Sequence, residues 1–482
     1  MRIEEHPILK FKREKEIYFY YNGKKLKAYE GETIASALYA NGVKVFSRSK
    51  KGRARGFFCG IGKCSSCLMK VDGIPNIRTC ITPVREGMIV EDNDKEISNL
   101  GYENGKVKKI SCEIAVVGAG PAGMSSAIEV SNYVDVLLID ENPHVGGQLI
   151  KQTHKFFGSK EEGAGTRGIE IANELRKEIE ERRIRLLRNT SVIGYYDRGY
   201  KFLSAVNKLD KILYEIEAKR IIFATGAQEN MLLFEGNDLP GVYGAGGVQT
   251  LMNVYGVRPG KKGVIVGAGN VGLILAYQVL QAGVGVACII EAMDKIGGYF
   301  VHAAKVRRCG VPIYTRHSIK EAYGREEVEG VIIAELNDKW EFIEGSEKKI
   351  DCDFVCIAVG LTPSSRILSQ TGAEIRFINE AGGWVALHNE YMETTKEGIY
   401  VAGDLSNIEE ASTAIIEGKI AGLACANSIR KIDDFEEKFK KYSSQLRIFR
   451  EGYFGERARK AKEKIISGYY EKMGKRRVSG VE

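Results

Sequence analysis

A glycine-rich turn between an apolar strand and a helix constrains this 482-residue chain more than any other feature. The segment SCEIAVVGAGPAGMSSAIEV has the spacing Gly-x-Gly-x-x-Gly in that setting, and a second apolar strand, VDVLLID, follows it. The glycines let the backbone turn and approach a pyrophosphate at the N-terminus of the helix. This pattern predicts a βαβ dinucleotide site, whose binding turn consists of Gly118, Gly120, Pro121, Ala122 and Gly123.

An acidic residue at the end of the second strand is expected to complete this site. Asp140 lies 22 residues after Gly118, and Glu141 follows it directly. An acid at this position hydrogen-bonds the ribose hydroxyls of a dinucleotide. Because a strand end read from sequence is uncertain by a residue, Asp140 is the first choice and Glu141 the second.

The same pattern occurs a second time. The segment VIVGAGNVGLILAYQVLQAG contains Gly267, Gly269 and Gly272, and the next strand, VGVACIIE, ends in Glu291. An acid there favours the free 2′-hydroxyl of NAD, and no basic residue follows to receive a 2′-phosphate, so NADH is expected rather than NADPH. Two alternatives stay open: another adenine nucleotide binds at this turn, or the glycines serve the packing of the fold alone.

Three cysteines lie within nine residues in the segment FFCGIGKCSSCLMKV. Cys59, Cys64 and Cys67 have the spacing of plant-type [2Fe–2S] ligation, and Cys80 supplies a fourth thiolate after twelve further residues. The intervening glycines allow the loop to wrap a cluster and turn N–H groups towards its sulfurs. A structural zinc site is the main alternative, since it also uses four thiolates. The Cys-x4-Cys spacing and the glycines favour iron–sulfur.

The sequence around the cysteines predicts a small mixed sheet. EIYFYYNGKKLKAYEG alternates about an Asn-Gly hairpin turn, ETIASALYANG predicts a short helix, and CLMKVDGIPNIRTC contains a second hairpin. Sheet, helix, cluster loop and sheet form a β-grasp ferredoxin layout. Residues 8–92 resemble the small [2Fe–2S] domain fused to the amino end of sarcosine-oxidase-type alpha subunits and related amine dehydrogenases.

Two further motifs lie in the order that is typical of two-dinucleotide-domain flavoproteins. RIIFATGAQ is an apolar strand that ends in Ala224, Thr225 and Gly226. GIYVAGDLSNIEEASTAIIEGKIAG places Gly403 and Asp404 between a strand and a helix. These segments resemble the ATG and GD motifs of the glutathione and thioredoxin reductase family.

This resemblance implies FAD as a cofactor. It implies that Asp404 binds the ribityl chain, that the following helix points at the isoalloxazine, and that Gly147 and Gln148 of the GGQL run lie beside the flavin. Disulfide reductases of this family carry a redox pair of cysteines, but here the corresponding run reads GGQLIKQTH. Because no dithiol can receive electrons, the amino-terminal cluster is the expected outlet for the flavin.

Charge and hydropathy exclude several classes of protein. The net charge of +8 is modest, and no nucleic-acid-binding module is recognisable. Residues 263–290 contain no charge over a length that could span a bilayer, but their strand–turn–helix–strand pattern predicts a buried βαβ unit. The amino terminus has no apolar run. We therefore expect a cytoplasmic protein without a membrane span, whose ten cysteines are not paired in disulfides.

The predicted fold class is α+β and α/β, with a β-grasp domain followed by a double Rossmann-type flavoprotein and a helical tail. The expected parts are a [2Fe–2S] domain at 1–92, a linker at 93–110, an FAD domain at 111–245 and 352–430, an NAD-type domain at 246–351 and the tail at 431–482. We expect the tail to be an amphipathic helix packed on its own domain or, alternatively, on another subunit. Its predicted apolar stripe consists of Tyr453, Phe454, Tyr469 and Tyr470.

Over nearly its whole length the chain resembles the alpha subunits of heteromeric dye-linked amine and imino-acid dehydrogenases, of the proline/hydroxyproline dehydrogenase, sarcosine oxidase and hydrogen cyanide synthase types. This implies an electron-transferring subunit of a hetero-oligomer, whose partners are an amino-acid-oxidase-like flavoprotein beta subunit and an electron acceptor protein. The alternative is a self-sufficient NADH-dependent oxidoreductase that reduces a ferredoxin or rubredoxin. No catalytic residue is assigned, because no base for amine oxidation stands out.

Overall fold

The computed structural model describes residues 1–93, 105–156 and 163–474. These residues form two compact units. The first unit consists of the described residues of Met1–Tyr102 together with Glu229–Gly360, and the second consists of those of Glu103–Gln228 together with Leu361–Glu482. The chain therefore passes from one unit to the other three times.

The first segment of the first unit contains a five-stranded sheet, a separate two-stranded sheet and one helix. Its elements are β1 Glu16–Tyr21, β2 Lys24–Tyr29, α1 Ile34–Ala40, β3 Ser47–Arg48, β4 Ala54–Arg55, β5 Leu68–Val71, β6 Ile74–Arg78 and β7 Ile89–Glu91. The sheet order is β2-β1-β7-β5-β6, with β1 antiparallel to β2 and parallel to β7. Every residue of α1 is buried, and Thr33 and Ser36 form a capping box at its start. The predicted β-grasp layout is confirmed.

The next segment, in the second unit, contains the first glycine-rich βαβ motif. Its elements are β8 Lys106–Val117, α2 Pro121–Val130, β9 Val136–Ile139, α3 Gly168–Glu181, β10 Arg185–Leu187, β11 Ser191–Asp197, β12 Lys201–Asn207, β13 Ile212–Phe223 and, at the boundary of the units, β14 Ala227–Glu229. The sheet order is β10-β9-β8-β13-β12-β11. Strands β10, β9, β8 and β13 are parallel, whereas β12 and β11 are antiparallel to their neighbours.

The third segment returns to the first unit and contains the second glycine-rich motif. Its elements are β15 Val242–Gly244, α4 Ala245–Gln249, β16 Lys262–Val266, α5 Asn270–Gln281, β17 Gly285–Glu291, α6 Phe300–Arg308, β18 Ile313–Thr315, β19 His317–Tyr323, β20 Gly330–Glu335, β21 Lys348–Asp351 and β22 Phe354–Ile357. The parallel sheet β15-β22-β16-β17-β18 is flanked by the antiparallel sheet β19-β20-β21. Residues 263–290 thus form the predicted βαβ unit. In the parts of the chain that the structure describes, no helix is both long and apolar enough to cross a membrane.

The last segment completes the second unit. Its elements are β23 Leu361–Pro363, α7 Arg366–Ser369, β24 Ile375–Ile378, β25 Gly383–Ala386, β26 Ile399–Val401, α8 Ala411–Asn427, α9 Phe435–Phe449 and α10 Glu456–Met473. Strand β26 joins the large sheet in parallel with β13. Helix α8 packs closely on α2, because a Cβ on Gly418 would lie 2.2 Å from the carbonyl oxygen of Ala122.

The tail is helical, as predicted, but part of its predicted apolar stripe is wrong. It forms two helices, α9 and α10, and both pack on the second unit through Phe439, Leu446 and Ile465, among others. Tyr453 and Phe454 lie between the helices and are 76% and 62% exposed, so their predicted place in an apolar stripe is wrong. The reason is that α9 ends at Phe449 and α10 begins at Glu456, so Tyr453 and Phe454 lie outside both helices.

The chain crosses between the units at 228–229 and 360–361, because β15 and β22 pair with each other in the parallel sheet of the first unit. The domain edges expected at 245 and 352 stay predictions. Of the predicted linker 93–110, residues 94–104 lie outside the described residues, and β8 begins at Lys106 within it.

Candidate functional site

Four thiols come together in the β-grasp segment. Cys59, Cys64 and Cys67 lie on the loop between β4 and β5, and Cys80 follows β6. The thiol of Cys59 interacts with those of Cys64 and Cys80, and Cys80 interacts with Cys67. The structure therefore groups all four predicted ligands, although they are spread over 22 residues of the chain.

Two glycines determine the path of this loop. Gly60 and Gly62 have φ angles of +67° and +74°, which disfavour a side chain. There is also no room for one, since a Cβ on Gly62 would lie 2.7 Å from Cδ1 of Ile81. The glycine requirement predicted from the sequence thus has a local steric cause.

The four thiols are hydrogen-bonded to one another. Hydrogen bonds from Cys64 and Cys80 lower the pKa of Cys59, and a hydrogen bond from Cys80 lowers the pKa of Cys67, whereas the same bonds raise the pKa values of Cys64 and Cys80. The backbone N–H of Ser66 donates to Cys64 Sγ at 3.5 Å. Soft anionic sulfur donors with nearby N–H groups suit an iron–sulfur cluster. Within the described residues no His, Cys, Asp or Glu group is arranged around a single metal ion, but a [2Fe–2S] cluster divides its four ligands between two irons.

The cluster loop packs directly on β15 and α4 of the same unit. The N–H of Gly244 donates to the carbonyl oxygen of Phe58 at 3.2 Å, and a Cβ on Gly247 would lie 2.0 Å from that oxygen. Phe57 packs against Tyr39 and Tyr243, both fully buried. The GAGG run at 244–247 therefore permits close packing of the cluster loop, a role that sequence analysis did not assign.

In the second unit, the first glycine-rich turn is shaped for close backbone approach. Gly118 has a φ of +106°, and a Cβ on Gly123 would lie 1.7 Å from the carbonyl oxygen of Gly118. By contrast, a Cβ on Gly120 would meet nothing nearer than the Cα of Gly147 at 3.8 Å. Helix α2 begins at Pro121 and has no side-chain cap. Because proline has no N–H, the first N–H group of the helix available to an anion is that of Ala122.

The acids after β9 have different roles in the structure. Asp140 Oδ2 accepts the N–H of Ala119 at 2.6 Å, and Oδ1 accepts that of Asn142 at 2.7 Å. Burial raises the pKa of Asp140. Glu141 accepts a hydrogen bond from the hydroxyl of Ser191 at 3.2 Å. Asp140 therefore holds the glycine-rich turn in place, and contact with a ribose remains a prediction for both acids.

The ATG and GD motifs lie at the ends of parallel strands of the same sheet. The hydroxyl of Thr225 donates to the carbonyl oxygen of Ser364 at 3.0 Å. Ala224, before it, is buried. A Cβ on Gly226, after it, would meet no atom within 4 Å. A Cβ on Gly403 would lie 2.8 Å from the Cβ of Ala122, so the GD turn rests against the start of α2.

The remaining predicted flavin contacts converge on the same place. Asp404 is half-buried, and desolvation raises its pKa to about 7. Gly147 lies against Gly120, and Gln148 is half-buried beside it. The structure thus brings the glycine-rich turn, the GGQL run and the GD turn together around the N-terminus of α2. An open backbone cradle there fits the pyrophosphate of a dinucleotide.

The second glycine-rich turn divides into packing and non-packing positions. A Cβ on Gly267 would lie 2.3 Å from the carbonyl oxygen of Ala358, and one on Gly272 would lie 2.0 Å from that of Gly267. Nothing lies within 4 Å of a Cβ on Gly269. Packing alone therefore explains Gly267 and Gly272 but not Gly269. Glu291 accepts the N–H groups of Ala268 and Met293, as Asp140 does for its own turn.

One functional feature was missed from the sequence. Glu417, in the middle of α8, is 2% exposed, and its Oε2 accepts the N–H of Gly403 at 3.0 Å. The available signal was a single acid in the run ASTAIIEGKIAG, whose other residues, apart from Lys419, are small or apolar.

Comparisons with known proteins identify two domains in this chain. The pyridine nucleotide-disulphide oxidoreductase model matches residues 112–418, and the 2Fe-2S iron-sulfur cluster binding domain model matches residues 14–95. The first match assigns FAD and the second a [2Fe–2S] cluster, as predicted. The protein is an FAD-dependent oxidoreductase with an amino-terminal iron–sulfur domain.

The chain is similar to three further proteins along much of its length. The chain is 26% identical over 455 residues to sarcosine oxidase subunit alpha of Corynebacterium sp. (strain P-1), covering 88% of this chain and 45% of that protein. It is 26% identical to hydrogen cyanide synthase subunit HcnB of Pseudomonas protegens, covering 65% of this chain and 70% of that one. The crystal structure of L-proline dehydrogenase from P. horikoshii matches with a TM-score of 0.69 and 28% identity, over 92% of this chain and 79% of that chain.

The chain spans less than half the length of the sarcosine oxidase subunit that it matches. The predicted resemblance to these alpha subunits is nevertheless confirmed over nearly the whole of this chain. The model of the oxidoreductase domain covers well over half of the residues. The chain therefore belongs to the pyridine nucleotide-disulphide oxidoreductase family.

Proposed function

We propose that this chain is the electron-transferring flavin/iron–sulfur subunit of a heteromeric dye-linked dehydrogenase for an amine or imino acid of the proline, hydroxyproline or sarcosine class. One observation carries the proposal. Four thiols are grouped in the amino-terminal loop, whereas the flavin unit has no pair of cysteines at the positions that disulfide reductases use. A flavin protein with a one-electron centre and no dithiol suits electron transfer to another protein.

The two cofactors supply complementary chemistry, since FAD exchanges electrons in pairs or singly and a [2Fe–2S] cluster exchanges them singly. The residues of this chain bind the two cofactors and orient them. The turns around the start of α2 offer N–H groups to a pyrophosphate, and Asp404 offers a carboxylate for the ribityl hydroxyls. The cysteine loop offers four thiolates, together with the N–H of Ser66 towards Cys64.

The oxidation of the substrate is assigned to a separate subunit. Removing hydrogen from an amine requires a base with a tuned pKa placed beside the flavin. No residue of this sequence is recognisable as such a base. The similar proteins are named as subunits of sarcosine oxidase and hydrogen cyanide synthase. We expect an amino-acid-oxidase-like flavoprotein beta subunit as the partner, with an electron acceptor protein as the outlet.

The experiment compares the purified chain alone with the chain after addition of its partner subunit. Dye-linked oxidation of proline, hydroxyproline and sarcosine is expected to be absent from the isolated chain and present in the complex. Activity of the isolated chain with any of these substrates would contradict the assignment of oxidation to the partner.

A self-sufficient NADH-dependent oxidoreductase that reduces a ferredoxin- or rubredoxin-like protein is the second candidate. The open position at Gly269 favours it, because packing does not require that glycine. Stopped-flow spectra with NADH separate the two candidates. Slow or absent bleaching of the flavin supports the dehydrogenase subunit. Fast and complete bleaching that Gly269→Glu abolishes would support the second candidate instead.

A further inference from the structure

A cluster of charged side chains is buried beside the GD turn of the second unit. Its centre is Glu417 on α8, and Arg450 at the end of α9 and Lys462 on α10 both reach it. The side chains of these three residues are 2%, 13% and 7% exposed. We call these residues, together with Ser406, the Glu417 cluster.

The two oxygens of Glu417 face different partners. Oε2 accepts the backbone N–H of Gly403 at 3.0 Å and the hydroxyl of Ser406 at 2.8 Å, both in the turn that carries Asp404. Oε1 accepts Arg450 Nη2 at 2.6 Å and Lys462 Nζ at 2.7 Å. One carboxylate therefore connects the GD turn to both helices of the carboxyl-terminal tail.

The cations are themselves held in place. Arg450 forms a fork with Glu409 at 2.8 and 2.9 Å. Lys462 Nζ donates to Ser406 Oγ at 2.7 Å and lies 3.2 Å from His388 Nε2. His388 Nδ1 lies 2.8 Å from the carbonyl oxygen of Asn389, so a neutral imidazole that donates there can accept from Lys462. Two carboxylates and two cations balance, and Glu417 stays ionised because Lys462 and Arg450 outweigh the effect of its burial.

General stabilisation is a weak explanation for this arrangement. Desolvation offsets most of the attraction in a buried ion pair, and apolar residues of similar size often serve as well. Such a cluster instead fixes one geometry, because each charge must keep its partners. Here the fixed element is the N–H of Gly403, next to the residue predicted to bind the flavin.

We infer that Glu417, Arg450 and Lys462 are positioning residues for the flavin site, through which the helices α9 and α10 hold the Gly403–Asp404 turn. The tail, for which sequence analysis left only packing roles open, is thus a component of that site. The inference rests on the proposed flavin role of Asp404. It does not depend on the identity of the amine substrate or of the partner subunit.

The test measures FAD binding to the full-length chain after removal of its flavin, by quenching of flavin fluorescence. Lys462→Met keeps the length of the side chain and removes the charge, and it is expected to raise the Kd for FAD about tenfold, as for the loss of one charge-assisted hydrogen bond. Lys460→Met is the matched control, because Lys460 lies on the same helix in an exposed pair with Glu456. Its Kd is expected to change less than about twofold, as for a surface ion pair.

A double-mutant cycle distinguishes positioning from a loss of stability. If Lys462 acts through the turn, Lys462→Met has little further effect on the Kd once Asp404→Ala is present, so the two changes are not additive. Ser406→Ala removes a single hydroxyl from the cluster and should raise the Kd in the same direction. It decides the question if Lys462→Met does not fold.

Two results would overturn the inference: full affinity for FAD in Ser406→Ala and in any folded Lys462→Met, or additive effects of Lys462→Met and Asp404→Ala. If Asp404→Ala itself leaves the affinity unchanged, the flavin role of Asp404 is wrong and the inference falls with it. None of these measurements requires an amine substrate, so the proposed dehydrogenase function is tested separately.

Discussion

The backbone N–H of Ala119 donates to Asp140 Oδ2 at 2.6 Å, and the N–H of Ala268 donates to Glu291 Oε2 at 2.8 Å. In each glycine-rich motif, the acid that ends the second strand thus holds the turn that follows the first strand. The acid is a structural part of the nucleotide-binding turn, whatever further contact it makes with a ribose.

Asp140→Ala is therefore expected to destabilise the protein even when no flavin is bound. It leaves the buried N–H of Ala119 without its acceptor, at a cost of about 1–3 kcal/mol in the free energy of unfolding. Glu141→Ala is the matched control, because the half-buried Glu141 accepts from a side-chain hydroxyl. Denaturant unfolding of the flavin-free chains measures both. Equal losses for the two variants would contradict this role of Asp140.

The cysteine loop is expected to hold about two irons and two acid-labile sulfides per chain, with a rhombic EPR signal on reduction. Cys80→Ser should abolish most of the iron content, since Cys80 interacts with both Cys59 and Cys67. Cys309→Ser is the control, because that cysteine is exposed and distant in sequence from the loop. Stoichiometric zinc without sulfide would instead establish the zinc alternative.

Asp404→Ala is expected to be purified with much less flavin than the unaltered chain. The change removes a carboxylate that accepts ribityl hydrogen bonds in a partly buried site, and each such bond contributes about 1.5–3 kcal/mol. The absorbance ratio of flavin to protein measures occupancy. Asp433→Ala, an exposed acid in the same unit, is the control. Full occupancy in Asp404→Ala would show that the GD motif is not a flavin ligand here.

The raised pKa of Asp404 predicts that the stability of the flavin-free chain depends on pH. Desolvation, with Glu417 and Glu409 nearby, raises the pKa of Asp404 to about 7, above its value in the unfolded chain. The folded state then binds the proton more tightly, so this contribution to stability is present below about pH 4 and is lost as the pH rises to 7, by about 4 kcal/mol. Unfolding of Asp404→Asn from pH 4.5 to 8 should lack that decline. Parallel curves for the two proteins would count against the raised pKa.

Substitutions in the second glycine-rich turn distinguish a glycine needed for packing from one that serves nucleotide binding. Gly272→Ala brings a Cβ to 2.0 Å from the carbonyl oxygen of Gly267 and should cost about 1–3 kcal/mol or more in stability. Gly269→Ala meets nothing within 4 Å and should leave the melting temperature unchanged. Binding of NADH or ATP, measured by calorimetry, then reports whether Gly269 serves a nucleotide. Equal destabilisation by both substitutions would mean that Gly269 has a packing role as well.

The local chemistry of this protein follows from short stretches of its sequence. The spacing of Cys59, Cys64 and Cys67, and the strand–turn–helix setting of Gly118 and Gly267, are properties of short segments, and each constrains its own backbone. For that reason the β-grasp layout, the two βαβ motifs and both cofactors could be predicted without a structure.

Features that depend on residues far apart in the chain could be found only in the folded structure. Only packing shows that Gly272 has no space for a side chain whereas Gly269 does, since the two glycines look alike in sequence. Likewise, Glu417 meets Arg450 and Lys462 across 33 and 45 residues, a pairing that no periodicity indicates. A charged side chain that is buried must be paired with an opposite charge, and which side chains are buried is known only from the folded chain.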